Sequence, residues 1–126
     1  QPAHIKQLVE LVVSKGADAG ITVTPVDPAV NAHWQIAVDK AGKATSAMGG
    51  PVKNVIRRRQ LLPQLFVRRG AIYVSKTGCL MKDDPDMYGD DVRALVIDKK
   101  YVVDIDTDED WKEAERIVSL LHTNKL

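Results

Sequence analysis

The chain has a single cysteine, few aromatic residues and no long apolar run. Because Cys79 has no partner, an intrachain disulfide is excluded, which is typical of a reducing compartment, and we expect a cytoplasmic protein. No apolar run approaches the ~18 residues of a membrane span, and no charged-then-apolar segment resembles a signal peptide. The sequence therefore predicts no membrane partner.

An excess of charge of one sign is also absent. The 18 lysines and arginines nearly balance the 17 aspartates and glutamates, and aromatic residues make up 5% of the chain. Proteins that bind nucleic acids usually carry a basic face, often with aromatic rings on which bases stack. One basic cluster is present, but the near-neutral charge and the scarcity of aromatic rings argue against a nucleic-acid partner.

The remaining composition is that of a globular protein. With 126 residues, of which 44% are hydrophobic and 28% charged, residues 1–126 are expected to form one domain. Amphipathic spacing predicts helices over 3–15, ended by Gly16, and over 108–122. Runs of β-branched or alternating residues predict strands at 21–24, 34–38, 71–74, 92–97 and 101–105.

These elements predict an α/β fold in which helices flank a mixed sheet. Residues 43–54 have little pattern and are expected to form a loop, residues 83–91 form an acidic loop, and Tyr88-Gly89 predicts a turn. The last helix should turn an apolar stripe inward, formed by Trp111, Ala114, Ile117, Val118 and Leu121.

Two aspartates, Asp104 and Asp106, stand at the end of the last predicted strand. Side chains two apart on a strand face the same way, so both carboxylates could serve one Mg²⁺ ion, which prefers carboxylate and phosphate oxygens. Thr107 and Asp110, by contrast, predict an acidic variant of the capping box for the last helix. The alternative for Asp104 and Asp106 is an exposed pair without a ligand, which is common at strand ends.

Five arginines lie within thirteen residues, as Arg57-Arg58-Arg59 and Arg68-Arg69. The guanidinium fork matches the oxygens of a carboxylate or phosphate, so the cluster predicts an anion pocket with Arg59 as the leading candidate. A solvated basic stretch, or ion pairs between subunits, is the alternative.

Three motifs follow one another in a specific order. They are Arg59-Gln60-Leu61-Leu62-Pro63-Gln64-Leu65-Phe66, then Gly70-Ala71-Ile72-Tyr73, then Val103-Asp104-Ile105-Asp106-Thr107 with Asp110-Trp111 behind it. In order and spacing they resemble the C-terminal half of the CMP-N-acylneuraminate synthetases, the sialic acid cytidylyltransferases. The match covers roughly residues 55–120, about half of the chain. The implied fold is the C-terminal part of a Rossmann-like nucleotidyltransferase domain.

The resemblance implies a reaction in which CTP and a nine-carbon acidic sugar give a CMP-sugar and pyrophosphate. Asp104 and Asp106 match the pair that serves Mg²⁺ in the family, and Tyr73 matches an aromatic residue of the sugar pocket. Arg59 matches an arginine that reaches into a neighbouring subunit's site, which implies a homodimer. By the same resemblance, the sugar site is expected to include Gln64, Arg68, Arg69, Gly70 and Ala71.

The chain also departs from the family pattern. It has Val67 and then Arg68 where the family often has an arginine after Phe or Tyr, and Arg69 where the family usually has Asn, so the sugar could be a different acidic nonulosonate. No strand followed by the family's Ala-Arg-x-Gly-Ser-Lys loop is found. CTP would therefore need a missing N-terminal half, and we expect no activity and no catalytic residue in this chain alone.

Two other interpretations stay open at this point. The chain could be a stand-alone, non-catalytic dimeric interaction module that keeps the fold. It could also be related to enzymes that activate 3-deoxy-octulosonate, although the spacing between the first two motifs favours the nine-carbon branch.

Overall fold

The computed structural model describes residues 1–123 and, for His122, only the backbone, so the predicted domain end at residue 126 lies outside it. The chain divides into two compact units. The first comprises Gln1–Thr24 and the chain from Arg68 onward, and the second comprises Pro25–Val67. The helices of the described residues are α1 (Pro2–Lys15), α2 (Thr77–Leu80) and α3 (Asp108–His122), and the strands are β1 (Ala19–Pro25), β2 (Ile36–Val38), β3 (Ala44–Ser46), β4 (Phe66–Ser75) and β5 (Val92–Val96).

The first unit is built on a three-stranded sheet in the order β4-β1-β5. Strands β1 and β5 are parallel, with Ala19 opposite Val92 and Val23 opposite Val96. Strand β4 runs antiparallel to β1, and beyond its end the N–H of Lys76 donates to the carbonyl of Asp18 at 2.8 Å. This mixed sheet with flanking helices confirms the predicted α/β class.

Helix α1 lies against the sheet through Leu8 and Val12, which are buried. It ends at Gly16, whose φ of 65° lets its N–H reach the carbonyls of Val12 and Val13. Gly20 on β1 makes the close approach of the helix possible, because a Cβ there would lie 2.6 Å from Cγ2 of Val12. The sequence prediction of this helix and of its stop signal is confirmed.

The apolar arc of α1 is wider than the part that the sheet covers. At 100° per residue the arc from Leu11 to Val13 spans about 200°. Ile5, Val9 and Val13 lie on its uncovered side, and Val13 is 72% exposed. An apolar stripe of the helix thus faces outward.

Helix α3 has the predicted bounds and the predicted cap. Thr107 Oγ1 accepts from the N–H of Asp110 at 3.2 Å, and a carboxylate oxygen of Asp110 accepts from the N–H of Thr107 at 2.9 Å, which completes the capping box. The predicted inward position of Trp111 and Val118 is wrong, because Trp111 is 57% exposed and Val118 is 49% exposed. The amphipathic pattern is present, but in the described chain α3 makes few contacts with other helices or strands that could cover it.

The predicted strand at 101–105 does not form. Lys99–Tyr101 is a turn of 3₁₀ helix, begun by Asp98, whose side chain accepts from the N–H of Lys100 at 3.0 Å. Residues 102–105 have no regular structure. Their β-branched side chains favour extended backbone, but a strand also needs a neighbour for its N–H and C=O groups, and β5 ends at Val96.

The second unit holds a hairpin of β2 and β3, in which Ala37 lies opposite Thr45. The prediction of a loop over 43–54 is therefore wrong for Ala44–Ser46, and the strand predicted at 34–38 begins only at Ile36. The turn is fixed by Asp39, whose side chain accepts from the N–H groups of Ala41 and Lys43, and by Gly42 at a φ of 80°. Because β3 has only three residues and two of them are polar, its sequence shows no alternation from which a strand could be predicted.

No helix within residues 1–123 has the length and apolar character needed to cross a membrane.

Candidate functional site

Strand β4 carries most of the predicted sugar-site residues and contains an irregularity. Thr22 of β1 is fully buried, and its Oγ1 lies 3.3 Å from the carbonyl of Arg69 and 3.3 Å from the N–H of Ile72. One residue of β1 thus faces two residues of β4 that are three apart in sequence. This is the arrangement of a β-bulge, and the Thr22 hydroxyl satisfies the backbone groups that the bulge leaves unpaired.

The bulge changes which side chains share a face of the sheet. The half-buried residues of β4 are Arg69 before the bulge and Ile72, Val74 and Ser75 after it. Because alternation shifts between residues 69 and 72, Arg68 and Tyr73 lie together on the exposed face, although residues five apart on a regular strand face opposite ways. Gly70 lies beneath Tyr73, whose hydroxyl is 3.6 Å from where a Cβ of Gly70 would be.

The two adjacent arginines of β4 point to opposite faces. Arg68 lies on the face that carries Tyr73, whereas Nε of Arg69 donates to Oγ1 of the buried Thr24 at 3.4 Å. Of this pair, Arg68 is the guanidinium that the bulge brings to Tyr73.

A third side chain joins this cluster from the acidic loop. Arg68 donates a hydrogen bond from Nη1 to the hydroxyl of Tyr88, and this bond raises the pKa of Arg68 above its usual value. The rings of Tyr73 and Tyr88 meet edge to face, with 6.5 Å between their centroids. We call Arg68, Tyr73 and Tyr88 the β4 cluster.

The acidic loop is held in place on both sides of Tyr88. Asp86 accepts from the N–H groups of Tyr88 and Gly89 at 2.9 and 3.0 Å, and Ser75 at the end of β4 donates to the carbonyl of Met87 at 2.5 Å. Gly89 adopts a φ of 65° and packs against Asp18, so closely that a Cβ would lie 2.6 Å from Cβ of Asp18. These contacts fix where Tyr88 stands relative to β4.

Asp18 completes the attachment of the loop. Its carboxylate accepts from the N–H groups of Asp90 and Asp91, both at 3.1 Å, and faces the ammonium of Lys76 at 3.5 Å. The two backbone hydrogen bonds, more than the lysine, hold the pKa of Asp18 below its usual value. The carboxylate is therefore ionised, and able to accept both bonds, at neutral pH.

Arg59 and Gln64 belong to the second unit. Arg59 begins a 3₁₀ turn and lies 4.0 Å from a carboxylate oxygen of Asp27, with both side chains largely exposed. Gln64 donates from Nε2 to the carbonyl of Leu65 at 2.8 Å. Within its unit, the side chain of Arg59 has one long, solvent-exposed ion pair, which contributes little to the position of the guanidinium.

Asp104 and Asp106 lie on the irregular segment before α3, and both are exposed. The strand geometry from which a shared face was predicted is absent. Among the described residues, no hydrogen bond or ion pair engages either carboxylate or joins it to the β4 cluster. Asp110 differs, because its carboxylate accepts from the Thr107 hydroxyl at 2.7 Å and from two backbone N–H groups, which lowers its pKa.

The donor set at Asp104 and Asp106 fits Mg²⁺ in chemistry. Within residues 1–123 no group of three or more metal-binding side chains occurs, and Mg²⁺ usually takes only one or two carboxylates, with water and phosphate oxygens as the other ligands. Asp106 also lines an open hollow of about 260 Å³ with Thr107, Asp108 and Trp111. Asp106 and Asp108 are the carboxylates that line this hollow, and Asp104 is not among its lining residues.

An apolar groove adjoins this hollow. It has a volume of about 510 Å³ and is lined by Ile105, Trp111, Ala114, Glu115, Val118 and Ser119. It is the exposed side of the stripe that the sequence placed in the core.

Neither a family model nor a curated protein matches the chain. The likeness to sialic acid cytidylyltransferases therefore rests on the three sequence motifs themselves.

Sequence reasoning missed Tyr88 as a member of the site, because Tyr88-Gly89 reads as a turn. The missing signal was the bulge in β4, which depends on Thr22, 47 to 50 residues away along the chain. The pair Gly70-Ala71 between two arginines and an apolar strand was the one local hint, since glycine inside a strand often marks a bulge.

Proposed function

We propose that the protein is the acidic-sugar-binding portion of an enzyme like the CMP-N-acylneuraminate synthetases. The observation that carries the proposal is the placement of Arg68 and Tyr73 on one exposed face of β4, around Gly70-Ala71 of the matched motif. A guanidinium binds a carboxylate through paired hydrogen bonds, and a tyrosine ring covers the apolar side of a sugar. Gly70 has no side chain, so a ligand can approach the backbone there.

The proposed ligand is a nine-carbon sugar acid, with N-acetylneuraminate as the first probe. Its carboxylate would bind Arg68 and its ring would lie against Tyr73, with Ala71 on the same face. Arg69 supports the strand through Thr24 on the opposite side. Arg59 and Gln64 are proposed to complete the pocket of a neighbouring subunit in a homodimer.

The metal part of the proposal concerns Asp104 and Asp106. These residues would hold Mg²⁺, which when bound would neutralise the phosphates of CTP. Their carboxylates are exposed and make no hydrogen bond or ion pair with the described residues. An ion shared with a nucleotide needs ligands that are accessible in this way. The groups that bind the base and triphosphate of CTP are proposed to come from an N-terminal half of the enzyme, so this chain alone would form no CMP-sugar.

Association is part of the proposal because, in the part of the chain that the structure describes, two apolar surfaces are exposed. Ile5, Val9 and Val13 form one on α1, and Trp111 and Val118 form the other on α3. Large apolar patches on soluble proteins usually mark interaction sites. We propose a homodimer as the simplest assembly, in the cytoplasm.

The proposal predicts a selective effect of ligands on thermal unfolding and on mass in solution. With N-acetylneuraminate at ten times its Kd, binding to the folded state adds about 1.4 kcal/mol, which raises the midpoint by roughly 4–7 °C for a chain of this length. CTP with Mg²⁺ but without sugar should change the midpoint little, and the mass should be that of a dimer.

Three other outcomes would contradict the proposal. A larger shift with 3-deoxy-octulosonate would place the chain with the eight-carbon branch. A dimer indifferent to every ligand would favour the non-catalytic module. Formation of CMP-sialate by this chain would show that it holds a CTP site after all.

A further inference from the structure

The Tyr88 hydroxyl has a partner for its oxygen but none among the described residues for its proton. The hydroxyl oxygen accepts the hydrogen bond from Nη1 of Arg68. A phenol can accept and donate at once, so the O–H proton of Tyr88 must find another acceptor. None of the described residues accepts a hydrogen bond from this O–H group.

Arg68 also has hydrogen-bond donors that the described residues do not use. One of its five N–H donors serves Tyr88, and the others make no hydrogen bond to the described residues. Because Arg68 is an exposed residue of β4, these donors are open to a ligand. Two neighbouring side chains therefore present free donors in the same place, and the rings of Tyr73 and Tyr88 border it. A group that accepts hydrogen bonds through two oxygens and carries negative charge suits such a place.

We propose that Tyr88 and Arg68 form one carboxylate-binding pair, in which a sugar carboxylate accepts hydrogen bonds from both the Arg68 guanidinium and the Tyr88 hydroxyl. This inference rests on the proposed function, because the ligand is the sugar acid named there. It adds a residue from outside the matched motifs and explains the arginine at position 68, where the chain departs from the family pattern. In this pair, the hydrogen bond to Tyr88 fixes the orientation of the Arg68 guanidinium, which a lone exposed arginine would not have.

The acidic loop fits this role because it is attached independently of any ligand. Ser75 and Asp18 bond to its backbone on either side of Tyr88, and Asp86 inside the loop accepts from the N–H of Tyr88 itself. A group held in place before binding loses little freedom when the ligand arrives. Gly89 is the residue on which the attachment depends most, since its φ of 65° disfavours a side chain and its contact with Asp18 leaves no room for one.

The first test compares wild type with Tyr88→Phe by calorimetric titration with N-acetylneuraminate and with its methyl ester. Phenylalanine keeps the ring and removes only the hydroxyl. Because a hydrogen bond to a charged group is lost, we expect affinity for the acid to fall about tenfold or more, and weak binding of the ester to stay unchanged. Thermal midpoints measured alongside show that the variant is folded.

A second pair of variants tests the loop without touching the hydroxyl. Gly89→Ala should displace Tyr88 and weaken binding of the acid, whereas Gly42→Ala, which also places alanine at a positive φ, 80°, in the β2–β3 hairpin, should not. Equal losses from both variants would mean that general destabilisation, not the position of Tyr88, is responsible.

The outcomes separate this inference from the proposed function. If wild type binds the acid at least about tenfold more tightly than the ester, and Tyr88→Phe binds the acid as tightly as wild type, the pair is overturned while the proposed function stands. Parallel losses for acid and ester would also overturn it, since the hydroxyl would then act elsewhere. If wild type binds no sugar acid, the proposed function fails and the pair fails with it.

Discussion

Replacing Arg68 by alanine is expected to weaken binding of N-acetylneuraminate roughly 10- to 150-fold. The proposal places this guanidinium against the sugar carboxylate, and hydrogen bonds between charged groups contribute about 1.5–3 kcal/mol each. Arg68→Lys should bind with intermediate affinity, because it keeps the charge and loses the planar fork. Calorimetric titration of the three proteins measures the effect.

Arg93 provides the matched control for this prediction. It is also an exposed arginine on a strand of the same sheet, and its guanidinium pairs with Asp91 at 2.8 Å. Arg93→Ala removes the same charge at a place to which no ligand role is assigned, so its affinity should equal that of wild type. A similar loss in both variants would mean that the sugar acid responds only to net charge, which would contradict a defined carboxylate site.

Gly20→Ala is expected to lower the free energy of unfolding by about 1–3 kcal/mol, which is roughly 4–12 °C in the thermal midpoint. The new Cβ would lie 2.6 Å from Cγ2 of Val12 and 2.8 Å from Cδ1 of Leu8, and both side chains are buried. Neither can move away without disturbing the contact between α1 and the sheet. Since β1 also positions β4 through Thr22, binding should weaken when this packing is lost.

Gly78→Ala is the control for Gly20→Ala. Gly78 lies in α2, and a Cβ there would meet no atom within 4 Å. Alanine favours helix over glycine by up to about 1 kcal/mol, so this variant should melt at or slightly above the wild-type temperature. If the two variants melt together, α1 does not lie on β1 as described.

The fold was predictable where local pattern and tertiary partner agree. The period of Leu8 and Val12 with the stop at Gly16, and the box formed by Thr107 and Asp110, depend on neighbours in sequence, and both are confirmed. The valines of residues 102–103 also satisfy strand propensity, but within residues 1–123 no strand lies beside them, so a prediction from propensity alone was wrong. Trp111 shows the same limit, since an apolar stripe predicts a covered face without specifying what covers it.

The site was predictable only in part for a related reason. Residue type and motif order pointed to Arg68, Tyr73, Asp104 and Asp106, and these stay predictions until binding is measured. Their arrangement depends on a bulge that Thr22 stabilises from another strand, which no local pattern records. Tyr88 is a candidate because the acidic loop is attached to β4 and to Asp18, and neither contact follows from local sequence.

The most direct test of the central claim is a calorimetric titration of the wild-type chain with N-acetylneuraminate and, separately, with its methyl ester. We expect saturable binding of the acid and at least about tenfold weaker binding of the ester, because the ester cannot offer a charged carboxylate to Arg68. Equal binding of both, or no binding of the acid, would contradict a sugar-acid site on β4.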